Sequence, residues 1–447
     1  MQEIDINRFM TEFHAIERDM GLFDDLVNGE PWWDTVRYNV CCYIFECMIG
    51  SSYSAANRLE RRPNPLGALR RNGLRHLLYA KALVGRSDVL ALRAPRTTVH
   101  GRYRDTILDP LVGLIPRTLT VDTLPRRFHL PDYVQARWPG TAPEYLPEIA
   151  RALLSAFGID GSNSDRLEAI IRRSRGEFAC QVSGYHRLFD LATPRLVMLV
   201  QNGIEKALFN VARTRGVPVV EAQHGAVGFG HPQYSYARGR DYDRVAFMPD
   251  LFLTFSDFWQ RHVYYPARRQ ASIGSGAMRP EVAQPGASLG KVMVCSANIY
   301  HRALAAVTRD AAALLSDRTF IYKLHPNQSI DERAITAEFA DLPNVIVGAP
   351  GIPALEMLDG VSHLVAIQST VVYEALQGGR RVCIVPGLDY ALHADVFDQP
   401  GVDVTPTLND LVVALDMLPP AAPYPVFFDP FDSAAARELL APLVGQN

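Results

Sequence analysis

Short apolar runs of four to six residues recur along this chain, and most of them stop at a small polar cluster. The clearest are Asp88 to Leu92 (DVLAL), Arg195 to Val200 (RLVMLV), Val217 to Glu221 (VPVVE), Leu251 to Thr254 and Lys291 to Cys295 (KVMVC). Phe320 to Leu324 (FIYKL), Asn344 to Val347, His363 to Ile367 (HLVAI) and Arg381 to Val385 continue the series, with Thr118 to Val121 a weaker member. Runs this short, apolar at consecutive rather than alternate positions, read as strands buried on both faces. Helical patterns separate them at Asp165 to Leu191, Ile204 to Arg215, Ser256 to Tyr264 and Val371 to Leu376. Strand and helix in alternation build parallel sheets covered on both sides. The expected fold class is therefore α/β, with two doubly wound sheets facing a cleft.

Residues 1–85 read as a mostly helical extension, and a series of prolines from Pro110 to Pro147 marks a loop-rich stretch. Ala267 to Gly290, rich in Gly, Ala, Ser and Pro, reads as the link between the two sheets. The expected division is 1–85, an acceptor-side domain over 86–270, a nucleotide-side domain over 271–430, and a C-terminal helix over 431–447. A chain of 447 residues, 48% hydrophobic and 21% charged, suits two large folded domains and excludes a disordered protein. Lys+Arg 45 against Asp+Glu 48 leaves no basic excess, so nucleic acid is disfavoured as a partner.

The six cysteines show neither CxxC nor zinc-ligand spacing, and Cys41, Cys42 and Cys47 lie in an apolar run as buried thiols. A reducing, cytoplasmic setting is expected. The charged N-terminus lacks the apolar core of a secretion signal, and Val40 to Gly50 is too short to span a bilayer. Over 58–81, arginines and Lys81 interleave with leucines. That pattern is either a solvated helix face or a patch for the inner, anionic face of the cytoplasmic membrane or an acidic glycan.

In open parallel sheets, ligands bind beyond the carboxyl ends of the strands. The polar clusters at those ends are the candidate site. Gln223-His224-Gly225 follows one strand, and the glycines after it let backbone approach a ligand. His224 either positions an acceptor hydroxyl and takes its proton or satisfies a loop carbonyl; Gln223 stands beside it on the acceptor side. Lys323-Leu324-His325-Pro326 places Lys323 and His325 on one side of a strand exit, where donors suit an anionic leaving group. In Gln368-Ser369-Thr370-Val371-Val372-Tyr373-Glu374, a strand hands over to a helix. Ser369, Thr370 and the helix amides can hold phosphate, and Glu374, one turn on, suits paired ribose hydroxyls. Ser296 and Asn298 open a loop in a matching place after another strand.

In the first half, His100 and Arg102 are candidate acceptor-binding residues. Asp105 and Glu205 are candidate general bases. Asp105 with Asp109 can equally be a solvated helix face, and Glu205 can simply open a helix, where negative charge is favourable. The chain has no GxGxxG fingerprint, Walker loop, HExxH, GxSxG elbow or kinase signature. A DxD metal pair could only be Asp241-Tyr242-Asp243, without the usual apolar strand before it, so no essential metal is expected.

QHG at 223–225, KLHP at 323–326 and QSTVVYEAL at 368–376 together resemble the two-Rossmann (GT-B) transferases of bacterial capsule and surface-polysaccharide synthesis. That group includes Kdo transferases of capsule export and CDP-glycerol glycerophosphotransferases. The resemblance covers about 195–390, with support from PDLFLTF at 249–255 and Ser272-Ile273-Gly274. It implies two Rossmann-like domains, a nucleotide sugar as co-substrate rather than a resident cofactor, and a glycan or lipid-linked glycan as acceptor. It further implies phosphate contacts from His325, Ser369 and Thr370, ribose contact from Glu374, and His224 near the reaction centre. Rival readings are a CDP-polyol phosphotransferase, a nucleotide-sugar 2-epimerase and a non-catalytic glycan-assembly subunit.

Overall fold

The computed structural model describes residues 5–49, 87–93, 97–99, 102–121, 140–200, 205–262, 264–275, 290–296, 300–325, 332–348, 352–387, 390–421 and 423–445. The chain starts with helices α1 (Ile6–Asp19) and α2 (Trp32–Ile49), then strands β1 (Val89–Leu92), β2 (Thr97–Val99) and β3 (Arg102–Arg104). Next come α3 (Leu108–Val112), β4 (Thr118–Val121), α4 (Leu146–Ala156), the long α5 (Ser164–Ala192), β5 (Leu196–Val200), α6 (Lys206–Thr214) and β6 (Val219–Ala222). The first half closes with β7 (Leu251–Thr254), α7 (Asp257–His262) and β8 (Gln270–Ser272). The second half runs β9 (Lys291–Cys295), α8 (His301–Leu314), β10 (Phe320–Lys323), α9 (Glu332–Glu338), β11 (Val345–Gly348), β12 (Val361–Ala366) and α10 (Val371–Gln377). It ends with β13 (Arg381–Ile384), β14 (Val402–Val404), α11 (Leu408–Asp416) and α12 (Ser433–Gly445).

Two six-stranded sheets result, ordered β4-β1-β5-β6-β7-β8 and β11-β10-β9-β12-β13-β14. Every neighbouring pair in both is parallel. All residues of β1, β5, β6, β7, β10, β12 and β13 are buried, as strands covered on both faces must be. The chain thus forms two Rossmann-like domains with a helical N-terminus. The stretch expected as a link carries β8, which extends the first sheet from β7.

In the second sheet the chain steps outward from β9 to β10 to β11, then returns past β9 to lay down β12. That reversal opens a crevice between the carboxyl ends of β9 and β12. The first sheet reverses between β1 and β5, because β4 lies outside β1.

Two sets of contacts tie the two halves together. Residues 427–432 cross back to the first sheet: Asp429 N donates to Phe255 O (2.9 Å), Ser275 N to Asp429 O (2.8 Å) and Asp432 N to Ile273 O (2.8 Å). Helix α12 then buries Ala436 and Leu440 against Val89, Leu196 and Leu251. At the other end, Asp5 caps α1 by accepting from Asn7 N and Arg8 N, and the Asn7 amide donates to Ala391 O of the second half at 3.1 Å. Within the first half, α1 and α2 grip the segment after the first-sheet loop: Arg37 pairs with Glu17 (2.6 Å) and donates to Pro232 O and Ser235 O, while Lys206 pairs with Asp34 (2.8 Å). Both ion pairs are buried, so removing one partner strands a charge and costs about 3–5 kcal/mol.

Candidate functional site

The crevice between β9 and β12 is lined by side chains from three strand ends. Cys295 closes β9, and the Ser369 side chain hydrogen-bonds its thiol. Burial, with the negative charge of Glu374 nearby, pushes that thiol up to about 12, so it stays protonated. Glu374 lies one turn into α10 and is 6% exposed. Among the described residues its carboxylate has no hydrogen-bonding partner, and burial alone lifts it from 4.5 to about 7. Lys323 ends β10 and is 5% exposed. Its Nζ donates to Leu324 O, and among the described residues it has no ion-pair partner; burial lowers its pKa.

Ser296 ties the rim together. Its N–H donates to Lys323 O at 3.0 Å, and its Oγ accepts from the Tyr322 hydroxyl at 3.1 Å. Tyr322 also meets His301 Nδ1 (2.9 Å), whose Nε2 faces Glu338 (3.1 Å). His325 leaves β10 two residues after Lys323 and is exposed at the rim.

Packing fixes the direction of α10. Tyr373 packs at a tilt against Trp259 of α7 (4.8 Å between ring centroids) and edge-on against Phe427 (5.1 Å). The Gln377 amide is fully engaged with the returning strap: it accepts from Phe427 N (2.8 Å) and Phe428 N (2.7 Å) and donates to Phe428 O (2.8 Å). Glu374, one turn after Thr370, lies on the adjoining side of the helix. Sequence reasoning missed His393, which sits in a short 3-10 segment (Tyr390–Val396) with no periodic signal. Its Nε2 accepts the Ser369 N–H at 3.1 Å, and burial lowers its pKa to about 4, so the ring is neutral. The Ser369 backbone amide, at the strand-to-helix turn, is thus already taken.

Across the cleft, β6 leads into the Gln223-His224-Gly225 loop. Gln223 is fully buried and both ends of its amide serve the backbone: Nε2 donates to Gly225 O (2.8 Å) and Oε1 accepts from Phe255 N (3.0 Å). It shapes the loop that presents His224. His224 is half-buried, with Nδ1 3.3 Å from the Tyr234 hydroxyl. Tyr234 donates to Glu221 Oε1 at 2.7 Å, and Tyr265 donates to the other oxygen at 2.9 Å.

The loop and the crevice meet. A Cβ built on Gly225 would stand 3.5 Å from Thr370 Cγ2, and one on Gly228 3.1 Å from Asp395 Oδ2. Asp395 also faces His262 Nδ1 at 3.3 Å. The structure therefore brings His224, Ser369, Thr370, Glu374, Ser296 and Lys323 to one interdomain cleft, with His325 at its edge.

The remaining predicted residues lie elsewhere or are spent locally. Asp105 is buried and caps α3, accepting from Ile107 N (3.1 Å) and Leu108 N (2.9 Å), while Asp109 pairs with Arg93 at 2.8 Å. Glu205 accepts from the Tyr185 hydroxyl at 2.5 Å just before α6. Arg102 opens β3, in a hairpin with β2. His100, Asn298 and the basic stretch 58–81 fall outside the described residues. Among the described residues, no group of three His, Cys, Asp or Glu side chains could hold a metal ion, and no helix is long and apolar enough to cross a membrane.

No protein-family model matches the chain, and no curated protein matches its sequence. Solved structures do match in fold. UDP-GlcNAc 2-epimerase from Neisseria meningitidis, solved with UDP-GlcNAc, is 12% identical, covers 80% of this chain and 100% of its own, and has a TM-score of 0.44. MurG of Acinetobacter baumannii is 13% identical over 73% of this chain and 89% of its own (TM-score 0.40). The glycotransferase of kitacinnamycin is 15% identical over 80% and 94% (TM-score 0.42). Likenesses at this level say nothing about this chain's substrate.

Proposed function

We propose that this chain is a metal-independent glycosyltransferase of GT-B build, moving a sugar from a nucleotide-activated donor to a bacterial surface glycan. The observation that carries the reading is the close approach of the His224-Gly225 loop to Thr370, near enough that a Cβ on Gly225 would touch it. It joins a base candidate on one sheet to the switch-point crevice of the other. That crevice holds a buried ammonium without an ion-pair partner and a buried carboxyl without a hydrogen-bonding partner among the described residues. Each lacks what a nucleoside diphosphate sugar brings: phosphate oxygens for Lys323, and ribose hydroxyls for Glu374.

In the reaction, the acceptor hydroxyl attacks the anomeric carbon and loses its proton to His224. The bond from that carbon to the phosphate oxygen breaks, and Lys323, His325 and the Ser296, Ser369 and Thr370 hydroxyls stabilise the charge left on the phosphate. Closure of the two domains excludes water and limits hydrolysis of the donor. The surface-glycan acceptor rests on the likeness of QHG, KLHP and QSTVVYEAL to capsule-synthesis transferases.

The test is a thermal-shift panel of CMP, CDP, UDP, GDP and dTDP. One nucleotide raises the melting temperature of the wild type, and His325→Ala loses most of that rise; an equal rise in the variant contradicts the phosphate role of His325. Incubating the matching donor sugar alone then separates the rivals. Conversion of free donor to its 2-epimer, followed by proton NMR, would overturn the transferase reading in favour of an epimerase.

A further inference from the structure

The 3-10 segment Tyr390–Val396 belongs to the second half but is gripped by the first. Val396 is fully buried and roots it in the core. Ahead of that root, Ala391 O accepts from the Asn7 amide of α1 at 3.1 Å. Leu392 lies so close to the cleft loop that a Cβ on Gly230 would stand 2.7 Å from its Cδ2. Asp395 Oδ1 is 3.3 Å from His262 Nδ1 of α7, and a Cβ on Gly228 would meet the other oxygen at 3.1 Å. Three pieces of the first half, α1, the loop after β6 and α7, therefore fix where this segment lies. Its buried histidine reaches the crevice instead: His393 Nε2 accepts the Ser369 N–H at 3.1 Å, and the ring packs edge-on against Tyr373 (5.4 Å).

Stability alone does not explain an imidazole here. A backbone N–H only donates, so Nε2 keeps its lone pair, and the ring, held neutral by burial, carries its hydrogen on Nδ1. Nδ1 is buried and, among the described residues, has no hydrogen-bond partner. An unpaired buried N–H is unfavourable, and an apolar side chain of similar size would avoid it. What the ring supplies, and an apolar side chain cannot, is an acceptor for the Ser369 amide. In the same turn the Ser369 hydroxyl accepts from Val371 N at 3.3 Å, and Ser369 O accepts from Val372 N at 3.2 Å. With His393 in place, the amide, hydroxyl and carbonyl of Ser369 are all engaged, and the backbone leading into Thr370 is fixed.

We propose that His393 is a positioning residue through which the first half sets the donor-side turn of the second. While α1, the cleft loop and α7 hold the segment, Nε2 holds the Ser369 amide; when that hold is released, the turn loosens and the donor binds less tightly. His393 itself touches no reacting atom. The inference rests on the transferase reading for the identity of the ligand, but the link from α1 and α7 to Ser369 is a property of the protein without substrate. Its consequence for the reaction is that the donor is held tightly only where the two halves are docked, which limits hydrolysis in an open enzyme.

The experiment uses the full chain, deuterated and ¹⁵N-labelled. A ¹⁵N–¹⁵N scalar coupling across the N–H···N hydrogen bond reports the Ser369–His393 contact directly, and His393→Phe, which lacks the acceptor, assigns it. The wild type is expected to show the coupling. Asn7→Ala combined with Asp395→Ala removes two partly exposed side chains of the grip. The pair should lose the coupling and weaken calorimetric binding of the nucleotide that stabilises the wild type by about tenfold. His393→Phe should weaken it as much, and His393→Gln, whose amide oxygen falls near the place of Nε2, should recover most of the affinity. Leu440→Ala is the control: it trims the apolar tie between α12 and the first sheet, so it should lower the melting temperature yet keep both coupling and affinity. No coupling in the wild type overturns the proposal. So does a coupling or an affinity unchanged in the double variant, or an equal loss in Leu440→Ala, which marks a purely structural role. If no nucleotide binds while the coupling still vanishes in the double variant, the transferase reading fails and the positioning role stands.

Discussion

Glu374→Gln should make this protein more stable at alkaline pH and leave it nearly unchanged at acid pH. The carboxyl is 6% exposed and burial lifts it from 4.5 to about 7. The folded state therefore binds its proton more tightly than the unfolded chain. Between those two values the native protein carries the extra proton, and stability falls as pH rises through that window. A difference of this size is worth about 3 kcal/mol in full, of which about 2–3 kcal/mol accrues between pH 5 and pH 8. Glutamine has the same shape and does not titrate, so this slope disappears from the variant. For a domain of this size each kcal/mol moves the melting point by about 2–4 °C, so the gap between variant and wild type should widen by roughly 5–10 °C from pH 5 to pH 8. Thermal scans followed by near-UV circular dichroism at pH 5, 6, 7 and 8 read it directly. A gap constant across that range, or widest at pH 5, would refute the account of Glu374 as a carboxyl held out of water with nothing to accept.

Lys323→Met should leave the nucleotide-free protein as stable as the wild type or more so, because it replaces a buried ammonium by an apolar chain of similar length. It should abolish the nucleoside-diphosphate thermal shift; a retained shift would remove Lys323 from the phosphate site. Gly274→Ala should destabilise by about 3 kcal/mol or more, because φ is +72° and a Cβ would fall 2.0 Å from Pro430 O, backbone that cannot step aside cheaply. Hydrogen exchange should then rise first in residues 427–445, and a variant as protected there as the wild type would contradict the strap's dependence on this turn.

The strands that carry the crevice were legible because they are buried on both faces: KVMVC, FIYKL and HLVAI announce themselves by composition, and their parallel pairing followed from alternation with helices. Of the edge strands, β4 and β11 were read as well, but β8 and β14 were not. Gln270–Ser272 has no apolar run, and Val402–Val404 is only partly buried, so neither carries the signal of an interior strand. The same limit hides the supporting residues of the site. Glu221 reads as the polar end of VPVVE, yet its partners Tyr234 and Tyr265 lie 13 and 44 positions further on. No period links them; only the return of the loop over the sheet brings them together. His393 reaches Ser369 from 24 positions away through an irregular turn. Residues whose own backbone ends a strand can be located from the strand; residues delivered by a loop cannot.

The two charged groups in the crevice also constrain each other's meaning. Glu374 and Lys323 both act electrostatically on the Cys295 thiol, in opposite senses, yet they form no ion pair, and the rise of the Glu374 pKa has no contribution from the lysine. A fold selected for stability alone would close that gap or replace both side chains by apolar ones. Leaving an acceptor and a cation separately desolvated on neighbouring strand ends is unfavourable twice over in the empty protein. A ligand relieves both at once only if it presents hydroxyl hydrogens to one wall and negative oxygens to the other, a few bonds apart. A ribose joined to a diphosphate has that spacing of functions built into it. A bare phosphate satisfies Lys323 alone, and a neutral sugar satisfies Glu374 alone. Ligands of the combined kind should accordingly bind with release of a proton from Glu374 when mixed with protein near pH 7, and the two half-ligands should not reproduce their joint affinity when added together.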